Sequence, residues 1–454
     1  MDWLSTVRNA GREAGQRVLK KHLRLGVTGL SGAGKTALIT SLVHQLTRPD
    51  SAKQLSLWPV ARHERLLGAQ ILPAQDATKP RFPFEQNLQQ ILAGQWPEST
   101  TGYSQLSLLV RVQQAHSWLE HFAPFQELQI DLIDYPGEWL LDLPMLQLSF
   151  AQWSAQSWQR FAQPPYQALS DVFVGELQQI CQQGLSELTL AQAVQRYTEF
   201  LQQLRQAHSL ILQPGRLLQP GHLQGTPLLN LLPLPPWFGE QFPQWQARLT
   251  EQFALYQQQV IQPFYREHFA KLDRQIVLVD ALSVLNHGYQ SLLELQQALL
   301  CIQQHFHYGP QGFWQRLFAP RIDKVALVAS KADQLTPEQH RNLSLFLQQL
   351  LQQSQAQQKF AGCESLVLVA ASVICSVQGQ VQTGGGVMPC LQGKSKATGG
   401  MLTLFPGEVP ISMPSAAVFA HHQFNFPELL PLGQQCDAMR FDQLLQFLIG
   451  DRFT

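Results

Sequence analysis

The chain has 454 residues, 45% of them hydrophobic, which exceeds one ordinary core and favours a main domain carrying an insertion. Lys plus Arg and Asp plus Glu balance at 32 each and only 14% of residues are charged, so the composition carries no footprint of nucleic-acid binding and no such partner is expected. The six cysteines form no CxxC pair and no zinc-type spacing with His, and no uninterrupted apolar run of roughly 18 residues or signal-peptide core is present, which excludes a disulfide scaffold and a membrane span and predicts cytoplasmic residence.

Residues 1–22 read as a basic leader helix, with Leu4, Val7, Val18 and Leu19 among Arg8, Arg12, Arg17, Lys20 and Lys21. It is either solvated or lies peripherally on the inner membrane. Leu23 to Thr28 reads as a buried strand, followed by a Gly-rich turn and a helix from Lys35 to Leu46. Thr47 to Gly102 is irregular, with a short helix through Phe84, Leu88, Ile91 and Leu92. Period-two alternation at Leu106, Leu108, Val110 and Val112, and again at Leu128, Ile130 and Leu132, predicts an antiparallel pair at one side of a sheet. The first part of the core domain thus spans 23–139.

From 140 to 272 the spacing is helical and reads as an inserted α-helical domain. One helix runs through Leu190, Val194, Tyr197, Leu201 and Leu204, opened by a Thr189 and Gln192 capping box. A second runs from Trp245 to Val260 and stops before Pro263, and a Pro-rich passage separates the two. Apolar strands return at Gln275–Val279, Val325–Ala329 and Leu366–Ala370, giving the second part of the core domain at 273–375. A β-rich excursion at 376–430 precedes a closing helix within 431–454, built on Phe441, Leu444, Leu445, Leu448 and Ile449. The predicted fold is α/β, with a mixed, mostly parallel sheet, a large α-helical insertion and a small β-rich excursion.

Five segments carry chemistry. GLSGAGKT at 29–36 matches GxxxxGK(S/T) between a strand and a helix. There Ser31, Gly32, Ala33, Gly34, Lys35, Thr36 and Ala37 would cradle phosphates, Lys35 reaching the β- and γ-phosphates and Thr36 giving its hydroxyl to Mg²⁺. Asp134 to Gly137 closes a strand as DxxG, with Asp134 toward the metal and the Gly137 amide toward a γ-phosphate. Ser330 to Asp333 resembles (N/T)KxD, in which Asp333 accepts from two guanine N–H donors and Lys331 lies along the base. Ala371 and Ser372, after the next strand, would offer a loop amide to the guanine carbonyl. A metal-binding switch threonine is expected before Leu106, with Thr101 favoured over Thr100. With these motifs in this order, the predicted α/β fold is a three-layer P-loop NTPase of Ras-like G-domain type.

The GLSGAGKT, TT, DYPGEW, SKAD and AAS segments in this order resemble the YcjX-like family of bacterial P-loop GTPases, and the likeness extends through the WPESTTGYSQL and LFPGEVP stretches. The resemblance implies GTP and GDP binding, Mg²⁺ dependence, a helical insertion, a stress-associated role and a membrane protein encoded nearby as a candidate partner. Ser330 departs from the usual Asn or Thr, so a weaker bridge to the P-loop and weaker base selectivity are expected; Glu138 stands where Ras-like enzymes orient water with Gln, so unaided hydrolysis is expected to be slow. No arginine lies between Phe82 and Tyr103, so an effector, an activator or self-association would complete the catalytic set of Lys35, Thr101, Gly137 and Glu138. The competing expectations are a nucleotide-gated scaffold or membrane-associated binder that hydrolyses little, and an ATPase.

Overall fold

The computed structural model describes residues 20–30, 32–74, 79–99, 102–114, 124–307, 322–352, 363–383, 386–404 and 407–453. Seven strands form the main sheet in the order β2–β3–β4–β1–β5–β6–β7. They are β1 (Lys20–Gly29), β2 (Leu66–Ile71), β3 (Ser104–Gln113), β4 (Phe125–Asp134), β5 (Arg274–Val279), β6 (Lys324–Ala329) and β7 (Glu364–Val369). From β4 to β7 every pairing is parallel, while β3 runs against both β2 and β4.

Strand β5 is buried along its whole length, which is why its sequence is a near-continuous apolar run. Its alternate side chains feed two cores. Ile276 and Leu278 join a core under α1 (Lys35–Thr47) and the C-terminal helix Phe441–Ile449. Val277 and Val279 join a second core that runs without a break into the helices between β4 and β5. These include α2 (Phe150–Phe161), α3 (Gln167–Gln182), α4 (Glu187–Gln206) and α5 (Pro243–Tyr256). The segment 140–272 is therefore packed as one face of the sheet's own layered core, with Trp153 stacked on Phe253 and Phe173 on Phe200 inside it.

Several boundaries differ from the sequence reading. Lys20, Lys21 and His22 belong to β1, pairing with Glu127, Leu128 and Gln129 of β4, so the strand begins three residues before Leu23. Residues 1–19 of the leader lie outside the described residues. Strand β2 was not legible: among the described residues it pairs only with β3, it has an irregular burial pattern, and it shifts register between Leu66 and Gly68. The capping box of α4 is Ser186 with Thr189 at the third position, not Thr189 with Gln192, because the helix starts at Glu187. Pro263 does not end the second helix: a π-turn at Gln257–Ile261 leads into a short helix, Gln262–Glu267. Its first turn tolerates a residue without an N–H. The β-rich excursion is a small antiparallel sheet of Ser376–Thr383, Gly386–Ser395, Met401–Leu404 and Leu429–Leu430.

Candidate functional site

The loops that follow β1, β4, β6 and β7 all leave the carboxyl edge of the parallel strands, the position at which open α/β sheets hold ligands. After β1, Gly32 and Gly34 adopt φ of 80° and 92°, a left-handed region that excludes most side chains. Gly29 is glycine for a different reason: a Cβ there would lie 2.8 Å from the Leu278 carbonyl oxygen of neighbouring β5. Gly34 then caps α1, whose first residues are Lys35 and Thr36. The Lys35 ammonium folds back to donate to the Gly29 carbonyl at 2.7 Å, and the Thr36 hydroxyl points to the Glu98 carbonyl at 3.4 Å.

Asp134 ends β4 in register with Ser104 of β3 and Val27 of β1, and is only 1% exposed. Three residues on, Gly137 sits so close to the Gly29 carbonyl that any side chain would collide with backbone. This close approach fixes the DYPG turn against the glycine loop. Glu138 follows, buried and facing the same space.

Beyond β6, Lys331 takes a left-handed φ of 63° and donates to Asp280 at 2.6 Å. Burial pulls its pKa down, but Asp280, Glu428 and Asp333 outweigh that and the net shift is upward. Asp333 is buried and accepts the Cys375 N–H at 2.8 Å, while the Ser376 hydroxyl donates to its carbonyl. Burial pushes the Asp333 carboxyl up to about 6 against the opposing pull of that amide and of Lys331. Ser330 turns its hydroxyl to the Val279 carbonyl at 3.4 Å, so the side chain anchors β6 to β5.

One cavity of about 410 Å³ collects Gly32 to Ala37, Glu138, Ser330, Lys331, Asp333, Ser372, Val373 and Cys375. A second, of about 700 Å³, shares Thr36, Glu98 and Ser99 with the first and adds Asp134, Tyr103, Trp139 and Arg216. Thr36 therefore stands where the two meet. Ala371 is not in either lining: its amide and carbonyl bridge Met439, whereas Ser372 reaches the cavity. Ser31, Thr100 and Thr101 lie outside the described residues.

Sequence reasoning missed the walls. Lys396 and Glu428, an ion pair of 2.6 Å from the β-rich excursion, close the side of the first cavity next to Lys331. Trp96 ties that sheet to the 84–99 segment through the Leu429 carbonyl at 2.8 Å. From the helical segment, Arg216 and His268 enter the second cavity, His268 lying 4.4 Å from the Tyr103 ring. None of these positions has a spacing signal, because each is a single residue delivered by tertiary packing.

A glycine loop joining the first strand to its helix, with the DYPG turn pressed against it and a Lys/Asp turn two parallel strands away, is the construction of a P-loop fold of the Ras-like kind. The chain belongs to the YcjX-like family, DUF463, which it matches over residues 23–453. It is 36% identical over 459 residues to the Ras-like GTPase YcjX of Escherichia coli (strain K12), an alignment covering 96% of this chain and 97% of that protein. Against the Ras-like GTPase YcjX of Shewanella oneidensis it is 35% identical over 464 residues, covering 96% of each.

Proposed function

We propose that the protein binds GTP and GDP with magnesium, hydrolyses GTP slowly, and uses the difference between the two states as a regulatory switch. The observation that carries this reading is convergence: residues from four loops far apart in sequence line two cavities joined at Thr36. Two curated relatives named Ras-like GTPase support it.

In this reading the amides from Ser31 to Ala37 hold the phosphates, and the Lys35 ammonium leaves the Gly29 carbonyl for the β- and γ-phosphates. Thr36 and Asp134 both line the second cavity and offer hard oxygen donors suited to magnesium, with Thr101 the expected third group. Magnesium, when bound, neutralises charge on the phosphates as the terminal bond breaks. Asp333 and Lys331 take the guanine, Asp333 as its carboxylate and Ser372 from the facing loop. Gly137 would report the γ-phosphate through its amide, since its α-carbon is packed directly against the Gly29 backbone of the glycine loop. Glu138 places a carboxylate in the cavity where a neutral amide would orient water, which favours slow turnover. The described residues contain no helix long and apolar enough to cross a membrane. We place the protein in the cytoplasm, with a basic leader able to rest on the inner membrane and a protein effector in a stress response.

Binding of GTP, GDP and ATP to the full chain, with magnesium, tests this. Lys35→Ala should abolish GTP binding, and Asp333→Asn should reduce the preference for GTP over ATP. No affinity for either guanine nucleotide, or full affinity in Lys35→Ala, overturns the proposal.

A further inference from the structure

Arg216 brings an arginine into the second cavity, although none lies in the segment between Phe82 and Tyr103. It belongs to a short helical turn, Gly215–Leu218, inside the segment between β4 and β5. Its guanidinium carbon lies 3.2 Å from the centroid of the Trp139 ring and 5.7 Å from that of Phe264. Trp139 is the second residue after Gly137, so the arginine rests on the phosphate-facing turn itself.

The loop that carries it is pinned to the same turn on both sides. Asp142 accepts the Gly215 N–H through both oxygens, at 2.8 and 3.1 Å, and also the Tyr256 hydroxyl at 2.7 Å. The Trp139 indole donates to the Gln219 carbonyl at 2.9 Å, and the Gln213 amide donates to the Leu141 carbonyl. Of the guanidinium, Nη1 is left over. Arg216 is 5% exposed and lines the cavity that also holds Thr36 and Asp134, and its Nη1 has no hydrogen-bond partner among the described residues. Asp142 attracts the cation across the loop, but a buried guanidinium donor without an acceptor is still costly, and stacking on indole offsets only part of that cost.

We propose that Arg216 is an arginine finger supplied in cis, which leaves the face of Trp139 to donate to the γ-phosphate oxygens during hydrolysis. The proposal rests on the GTPase reading. In the step, a water oxygen bonds to the γ-phosphorus, the bond from γ-phosphorus to the bridging oxygen breaks, the GDP oxygen takes the electron pair, and the water's proton passes to phosphate. Arg216 forms no bond to phosphorus: its N–H donors offset charge that develops on the γ and bridging oxygens. No second molecule is then needed to bring an arginine.

The full chain, alone, is compared with Arg216→Gln, which keeps a planar group against Trp139 without charge, and with Arg216→Lys. The readouts are affinity for fluorescent GDP, single-turnover GTP hydrolysis, and trapping of GDP with aluminium fluoride. Wild type should trap; Arg216→Gln should bind GDP as wild type does, hydrolyse at least about a hundredfold more slowly and fail to trap. Arg216→Lys should recover only part of the rate, lacking the fork of donors. Hydrolysis by Arg216→Gln at the wild-type rate, or failure of wild type to trap while it hydrolyses GTP, overturns the role of Arg216. Absence of GTP binding by wild type would sink the GTPase reading instead.

Discussion

Replacing Gly215 by alanine should loosen the grip of the helical segment on the phosphate-facing turn. A Cβ at 215 would lie 2.5 Å from the Glu138 carbonyl oxygen, 2.8 Å from its carbonyl carbon and 3.0 Å from the Glu138 Cβ. Ordinary carbon contacts are about 3.5 Å or longer, so one backbone must retreat by about 1 Å. Such overpacking costs about 1 to 3 kcal/mol. The retreat also lengthens the two bonds from the Gly215 N–H to Asp142, and a hydrogen bond to a carboxylate is worth about 1.5 to 3 kcal/mol. Alanine recovers about 0.4 to 1 kcal/mol through the unfolded chain, leaving a net loss of about 1.5 to 5.5 kcal/mol. Urea unfolding at constant slope measures it. Gly175→Ala is the control: Gly175 lies within α3 (Gln167–Gln182) with nothing within 4 Å of an added Cβ, so that change should be neutral or stabilising. A Gly215→Ala protein as stable as wild type, or an equal loss in Gly175→Ala, would refute the reasoning.

Two further outcomes follow from buried charge. Burial pushes the Asp142 carboxyl up to about 6, against the pull of Gly215, Tyr256 and Arg216. Its folded pKa thus exceeds its unfolded one, so the native state holds the extra proton between about pH 4 and 6 and loses stability as pH rises through that window. The stability of wild type relative to Asp142→Asn should fall by up to about 3 kcal/mol from pH 4 to 6.5, and a pH-independent difference would contradict this. Arg274, 1% exposed at its side chain, is held by Asp323 at 3.0 Å and Asp451 at 2.6 Å. Asp323→Asn and Asp451→Asn should each be tolerated, whereas the double variant strands the cation and should lose about 0.5 to 3 kcal/mol beyond their sum. Additivity in a denaturation cycle would argue against shared neutralisation.

Much of the frame was readable because burial dictated residue type. Strand β5 had to be apolar on both faces, β3 alternates because one face is half-buried, and the glycines at 32 and 34 mark turns that few other residues adopt. Edge strand β2 was not readable, since a strand with one partner and an exposed Leu67 carries little pattern. The Ser186 box escaped because Thr189 fills the place usually held by Glu or Gln. The motif residues of the cavities could be found by spacing, whereas Arg216, Lys396 and Glu428 could not: their meaning lies in contacts with residues far away along the chain.

The unbroken apolar layer beneath β5 leaves no hinge between the nucleotide edge and the helices stacked beside it. Gly137 is itself the first residue of the 3-10 run Gly137–Gln147 that leads into those helices, so displacement at the phosphate end enters them without slack, as through a rigid crank. Deleting them would unroof one face of the sheet, and calorimetry should accordingly record them and the sheet as a single cooperative melt.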